Sequence, residues 1–162
     1  MMLGPREDIL PKDDVFMGIA ILKSRRSKDP STQVGACLVD KDGRIIGTGY
    51  NGFPRGIPSD ALPWDKEGNP EDTKYLYVGH AEENAIYFSD RLRLKGATLY
   101  STLFPCNGCA IPIIQNQIAE VVYLSDKYHD TSSYIASRRM LGFAGIKVRQ
   151  FQPSREEIVI RF

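Results

Sequence analysis

The 162-residue sequence holds no apolar run near the roughly 20 residues that span a bilayer. The opening Met-Met-Leu-Gly-Pro-Arg-Glu-Asp lacks the apolar stretch of a signal peptide, so a cytoplasmic protein without membrane contact is expected. An excess of one charge is also missing. Lys plus Arg is 21 and Asp plus Glu is 20, a net charge of +1, which argues against a nucleic-acid binder resting on many phosphate contacts. Internal repeats, low-complexity tracts and linkers are absent. Cysteine and histidine are scarce, three and two, and three cysteines without an export signal suggest thiols or metal ligands rather than disulfides. What is there is ordinary for a globular chain: 42% hydrophobic and 25% charged residues, enough for one domain over residues 1–162.

Apolar spacing predicts a helix from N-caps at Asp13 and Asp14 to about Ser27, closed by Lys23, Arg25, Arg26 and Lys28 and broken by Asp29-Pro30. Val34–Val39 and Arg44–Tyr50 read as a hairpin around Asp40-Lys-Asp-Gly43. From Asn51 to about Tyr75 the chain is irregular and rich in proline and glycine, as functional or mobile loops are. Then helices at 80–90, 106–115 and 132–144 alternate with strands at 97–102, 120–125 and 146–151, the pattern of an α/β domain with parallel strands; 157–160 is a further candidate strand.

Chemistry concentrates in two places. His80-Ala81-Glu82 opens one predicted helix, and Pro105-Cys106-Asn107-Gly108-Cys109 opens the next. Cysteines at i and i+3 face the same side, and a helix start favours thiolates, so both should ionise easily. Two thiolates and an imidazole hold a tetrahedral Zn²⁺ with one position open, where bound water reaches a pKa of about 7. Glu82 is placed to move the protons of that water. His-x-Glu followed by Pro-Cys-x-x-Cys is the documented signature of zinc nucleobase deaminases. Competing readings are a structural zinc closed by Cys37 or His129, which leaves Glu82 without a role, and a thiol–disulfide pair, which leaves His80 unexplained. Cys37, mid-strand, reads better as a small buried hydrophobe.

At these residues the chain resembles the zinc-dependent cytidine/deoxycytidylate deaminases, and within them the deoxycytidylate (dCMP) group. The likeness runs from Val15 to Phe151. Arg26-Ser-Lys-Asp-Pro30, Gln33-Val-Gly-Ala36, Gly49-Tyr-Asn-Gly52, Leu62-Pro-Trp64, Phe104-Pro-Cys-Asn-Gly-Cys109 and Ser125-Asp-Lys-Tyr-His-Asp130 carry it, beside His80-Ala-Glu82. The resemblance implies a three-layer α/β domain, a mixed five-stranded sheet with helices on both faces. It implies deamination of dCMP to dUMP at one catalytic zinc per subunit held by His80, Cys106 and Cys109, with Glu82 as proton shuttle. Further implications are a homo-oligomer, commonly a hexamer, activated by dCTP and inhibited by dTTP, each with Mg²⁺.

For the substrate, Lys127 and Tyr128 after the fourth strand and Ser31 in the 27–33 turn are phosphate candidates. Asn51, able to donate and accept, is the sugar candidate, and Ala81 joins the substrate contacts. Gly47, Gly49, Tyr50 and Gly52 form a rim where backbone can approach an effector nucleotide. Residues 51–79 hold no His or Cys for the second zinc of some family members, so Trp64, Tyr75 and Tyr77 are candidates either to order that loop by packing or to form a subunit interface. Two other functions fit the same motif: a deaminase of a nucleoside, a free base or a base in RNA, the last of which needs a basic groove, and a non-catalytic zinc nucleotide sensor, which does not need Glu82.

Overall fold

Strands Gly35–Val39 (β1), Ile45–Tyr50 (β2), Thr98–Leu103 (β3), Glu120–Ser125 (β4) and Lys147–Gln150 (β5) form one sheet in the order β2-β1-β3-β4-β5. This computed structural model describes residues 3–162. β1 pairs antiparallel with β2 and β3, while β3, β4 and β5 run parallel, so the sheet is mixed, as expected. In the hairpin turn Gly43 has a φ of 81°, a conformation that side chains disfavour.

The helices are Lys12–Ser24 (α1), Ala81–Tyr87 (α2), Asn107–Gln115 (α3) and Ser132–Phe143 (α4). Strand alternation sends neighbouring side chains to opposite faces. Cys37, Val39, Tyr100 and Val122 meet Met17 and Ala20 of α1 on one face. Ala36, Leu38, Leu99 and Val121 meet α2, α3 and α4 through Ala85, Ile113 and Leu141 on the other. Each fully buried aliphatic side chain contributes roughly 1.5–3 kcal/mol, so both faces are strongly specified. Among the described residues no helix is long and apolar enough to cross a membrane.

Several sequence expectations need correcting. Pro11, not Asp13 or Asp14, caps α1. A proline there loses no helical hydrogen bond, which frees both aspartates for tertiary contacts. Asp13 accepts from Arg149 (2.6 Å) and Tyr100 (2.7 Å), and Asp14 from the Ser154 amide (3.3 Å) and hydroxyl. α1 also stops at Ser24, and residues 25–27 form a turn. No strand forms over 157–160: Pro153 lacks the N–H that continued pairing requires, and Ile158 and Ile160 instead line an apolar groove along α1. α2 ends at Tyr87, ahead of a 3-10 turn at Arg91–Arg93.

The long loop is ordered, but only partly as expected. An antiparallel Gly52–Gly79 bridge closes its neck. Trp64 stacks on Phe53 at 4.1 Å and donates to the Ser59 carbonyl at 2.8 Å. The Tyr77 hydroxyl donates to the Glu71 carbonyl at 2.9 Å. Tyr75 is 61% exposed and does not anchor the loop; the charge of its neighbour Lys74 is buried instead.

Candidate active site

The parallel strands β3 and β4 end on the same side, where open α/β sheets usually bind ligands. Beyond β3 the chain turns into α3. The Phe104 amide donates to the Ser125 carbonyl at 2.8 Å, and the Ser137 hydroxyl of α4 donates to the Pro105 carbonyl at 2.7 Å. That pins the residue before Cys106, which caps α3, and Cys109 lies one turn further along. His80 caps α2 across the cleft, its amide donating to the Glu83 carboxylate at 3.3 Å.

These two helix starts bring His80 Nδ1 to 3.3 Å from each cysteine sulfur. Among the described residues the three form one cluster of metal-type donors, all within 4.8 Å of one another. Tetrahedral zinc with ordinary Zn–N and Zn–S lengths separates nitrogen from sulfur by about 3.5 Å. The trio fits zinc without rearrangement. Neither competing fourth ligand joins it: His129 Nδ1 lies 3.0 Å from the Asp126 carbonyl, and Cys37 is buried in β1, its thiol pushed up to about 12 by burial.

The two thiols are joined by a hydrogen bond. A hydrogen bond from Cys109, and then His80, brings Cys106 down to about 4. Cys109, as that donor and by burial, is pushed well up, because two adjacent thiols do not both ionise cheaply. The hydrogen bond with Cys106 draws His80 up to about 9. Loading zinc therefore expels protons from this trio.

Glu82 lies directly behind. It is buried, accepts from the Ser101 hydroxyl at 3.2 Å, has the Cys109 sulfur 3.5 Å from its other oxygen, and burial raises its pKa. A carboxyl so placed is suited to take and return a proton. Ser101 escaped the sequence reading. Its signal was a hydroxyl between Leu99 and Leu103 on the inward face of β3.

The other end of the cleft is assembled from distant segments. Asp29, buried, accepts from the Ser31 and Thr32 amides (2.8 and 3.2 Å) through Oδ1, and from Asn51 Nδ2 (3.3 Å) and Lys74 Nζ (2.5 Å) through Oδ2. Asn51 also donates to the Thr32 carbonyl (2.9 Å) and accepts from the Val34 amide (2.8 Å). Both Asn51 donors are thus spent inside the protein. Toward an outside group that leaves Asn51 only an acceptor, the remaining lone pair on Oδ1.

Tyr128 carries Lys127 Nζ 4.9 Å from its ring centroid and packs 5.6 Å from Tyr134. The neighbouring Thr32 side chain, ahead of Lys127 and Lys66, lowers the Tyr128 phenol. Tyr134, which the sequence reading missed, sits against Phe104, and burial followed by the charge of Glu82 raises its phenol. Arg138 pairs with Asp126 and covers the Phe104 ring at 4.1 Å, fixing the start of the Lys127-Tyr128 turn. Ser31 is exposed in its turn, and Ala81 is fully buried in the core and offers no polar side chain.

Gly47 and Gly49 let α2 approach the strand closely. A Cβ on Gly49 would stand 2.2 Å from the Ala81 carbonyl oxygen, and one on Gly47 2.5 Å from that of Ala85. The same strand with Tyr50 and Gly52 also lines a separate cleft of about 570 Å³, with Lys23, Arg55 and Asn84 on its walls.

Residues 10–125 match the family described as the cytidine and deoxycytidylate deaminase zinc-binding region. The chain is 49% identical to mouse deoxycytidylate deaminase over 97% of its own length and 89% of that protein. It is 49% identical to a probable deoxycytidylate deaminase of Drosophila melanogaster, over 97% of this chain and 80% of that protein. The crystal structure of cyanophage S-TIM5 dCMP deaminase in complex with dCMP and dUMP superimposes with a TM-score of 0.64 at 27% identity, covering 85% of this chain and 94% of the other.

Proposed function

The chain belongs to the cytidine and deoxycytidylate deaminase family, and on that premise we propose that it hydrolyses dCMP to dUMP and ammonia, with His80, Cys106 and Cys109 as zinc ligands and Glu82 as the proton carrier. Bound zinc supplies the Lewis acidity that makes water a nucleophile at neutral pH. Glu82 takes the proton of the water that attacks C4 of the cytosine, delivers it to N3, and moves a second proton to the departing amine. Ser101 holds one carboxylate oxygen, and the other, beside Cys109 Sγ, carries this traffic. The observation that carries the reading is this buried carboxyl, raised in pKa, beside a zinc-type His/Cys/Cys trio.

The nucleotide lies along the cleft from the trio past Tyr134 toward Tyr128. Lys127, Tyr128 and the Ser31 turn take the 5′-phosphate, Asn51 Oδ1 accepts from the sugar hydroxyl, and the Ala81 backbone borders the base. The 570 Å³ cleft with Lys23 and Arg55 takes the effectors dCTP and dTTP with Mg²⁺. The protein is a cytoplasmic homo-oligomer, a hexamer by the family resemblance; exposed apolar side chains such as Ile111 and Phe143 support burial between subunits.

Ammonia release from dCMP, deoxycytidine, CMP and dCTP, with and without dCTP or dTTP plus Mg²⁺, tests these assignments. We expect turnover of dCMP, and a roughly 10³-fold loss in Glu82→Ala with zinc content unchanged. Turnover of deoxycytidine but not dCMP would overturn the substrate. A Glu82→Ala variant with full activity would overturn the mechanism, and a dCMP saturation curve indifferent to both nucleotides would sink the regulation.

A further inference from the structure

Lys74 lies in a 3-10 turn of the long loop, and its side chain is 7% exposed. Its ammonium meets Asp29 Oδ2 at 2.5 Å, across 45 residues of sequence, and the Asp29 side chain is 2% exposed. A charge buried this deeply is costly without a partner, so each of the two holds the other in place. Asp29 is the junction of the nucleotide end of the cleft. One oxygen orients the Ser31 and Thr32 amides, and the other shares Lys74 with the Asn51 side chain. Asn51 is thereby held with its donors inward, Oδ1 on the Val34 amide and one lone pair left over.

The main chain of Lys74 binds the loop to the same point. Its amide donates to the Asp65 carbonyl at 3.0 Å, and its carbonyl accepts from the Tyr77 and Val78 amides at 3.0 Å each. Lys66, next to Asp65, reaches the surroundings of Tyr128. One residue therefore ties the loop that carries Lys66 to the turn that carries Ser31 and Thr32 and to Asn51. None of these ties includes His80, Glu82, Cys106 or Cys109.

We propose that Lys74 is a positioning residue for the nucleotide: through Asp29 it sets the orientation of Asn51 and the course of the Ser31–Thr32 turn, and so governs how tightly the sugar-phosphate is held, without a part in the chemical step. The proposal rests on the dCMP reading above. It differs from a simple folding brace in what it separates, since binding should suffer while zinc and turnover do not.

The test is Lys74→Met in the full-length, zinc-loaded protein, with dCMP kinetics, competitive inhibition by dUMP, zinc content and thermal melting measured together. We expect KM for dCMP and the inhibition constant of dUMP each to rise about tenfold or more, kcat to stay within about threefold, and zinc to remain stoichiometric. Unchanged KM in a folded variant overturns the proposal. So does a fall in kcat and zinc alongside the rise in KM, which would mark a structural pair. Should Lys74→Met not fold, Lys74→Gln, which keeps a donor toward Asp29 but no charge, is judged by the same criteria, and failure of both to fold also overturns it. Wild-type dCMP turnover runs in parallel: its absence would defeat the reading of the substrate, whereas the Lys74 proposal is decided by the variant-to-wild-type ratio.

Discussion

The two ends of the cleft are built in different ways. The zinc end is two helix starts, His80 to Glu82 and Cys106 to Cys109, locked by short-range geometry against one strand. The end proposed for the nucleotide is a knot of side chains from the 27–33 turn, Asn51, Lys74 and the turn after β4, joined across long stretches of sequence. The difference teaches where each end is vulnerable. A metal site fails through its own ligands, whereas a knot fails through any of its strands, and loses affinity before chemistry.

Removing one ligand is the sharpest way to break the first end. In Cys109→Ala two protein ligands remain, and we expect zinc to be lost on dialysis and activity to fall by more than about 10³-fold, read by metal analysis and ammonia release. Asn51→Ala probes the second end. It leaves the buried Val34 amide without its acceptor, at a cost of about 1–3 kcal/mol in denaturant unfolding, and should raise KM for dCMP while zinc stays bound. If Asn51→Ala also released zinc, the two ends would not be separable.

The smallest effect lies outside both. Asp13 is held below the usual carboxylate range, first by Arg149 and then by Tyr100, against the cost of its partial burial. A lowered folded pKa means this stabilisation is present above the unfolded value of about 3.9 and is lost as pH falls through the folded one. The Asp13 and Arg149 side chains are 35% and 33% exposed, and solvent screening keeps the pair near ~0.5 kcal/mol. The melting temperature of Asp13→Asn should lie slightly below wild type at pH 7, and the gap should narrow as pH falls from about 4 and close once the folded carboxylate is protonated. Zinc content and KM at neutral pH should not move, since Asp13 sits on the face of the sheet away from the cleft.

What could be read from the sequence follows the same division. His80, Glu82, Cys106 and Cys109 stand in two short motifs whose spacing is set by one helical turn, so local reasoning sufficed. The β3–α3–β4–α4–β5 order was legible because the apolar runs are cleanly punctuated. The Lys74–Asp29 pair was not, because a lysine in a polar loop carries no mark of burial and its partner lies 45 residues away. Asn51 showed the residue type but not its neighbours, so its two spent donors were invisible. Asp13 and Asp14 looked like caps because acidic residues favour a helix start, and tertiary partners overrode that preference. The unequal thiols follow from their mutual hydrogen bond, which identical residue types cannot disclose.

The bridge between Gly52 and Gly79 has one more consequence. Its two reciprocal hydrogen bonds, 3.1 and 2.9 Å, clasp the stem of the long excursion, so everything between them is a ring hung from a fixed point. The entropy of closing such a ring grows only with the logarithm of its length, about 0.6 kcal/mol for each doubling. The clasp therefore uncouples the size of the ring from the catalytic frame. Residues inserted between Phe53 and Trp64 should alter the outer contour of the cleft while His80, one residue past the clasp, keeps its place at the head of α2.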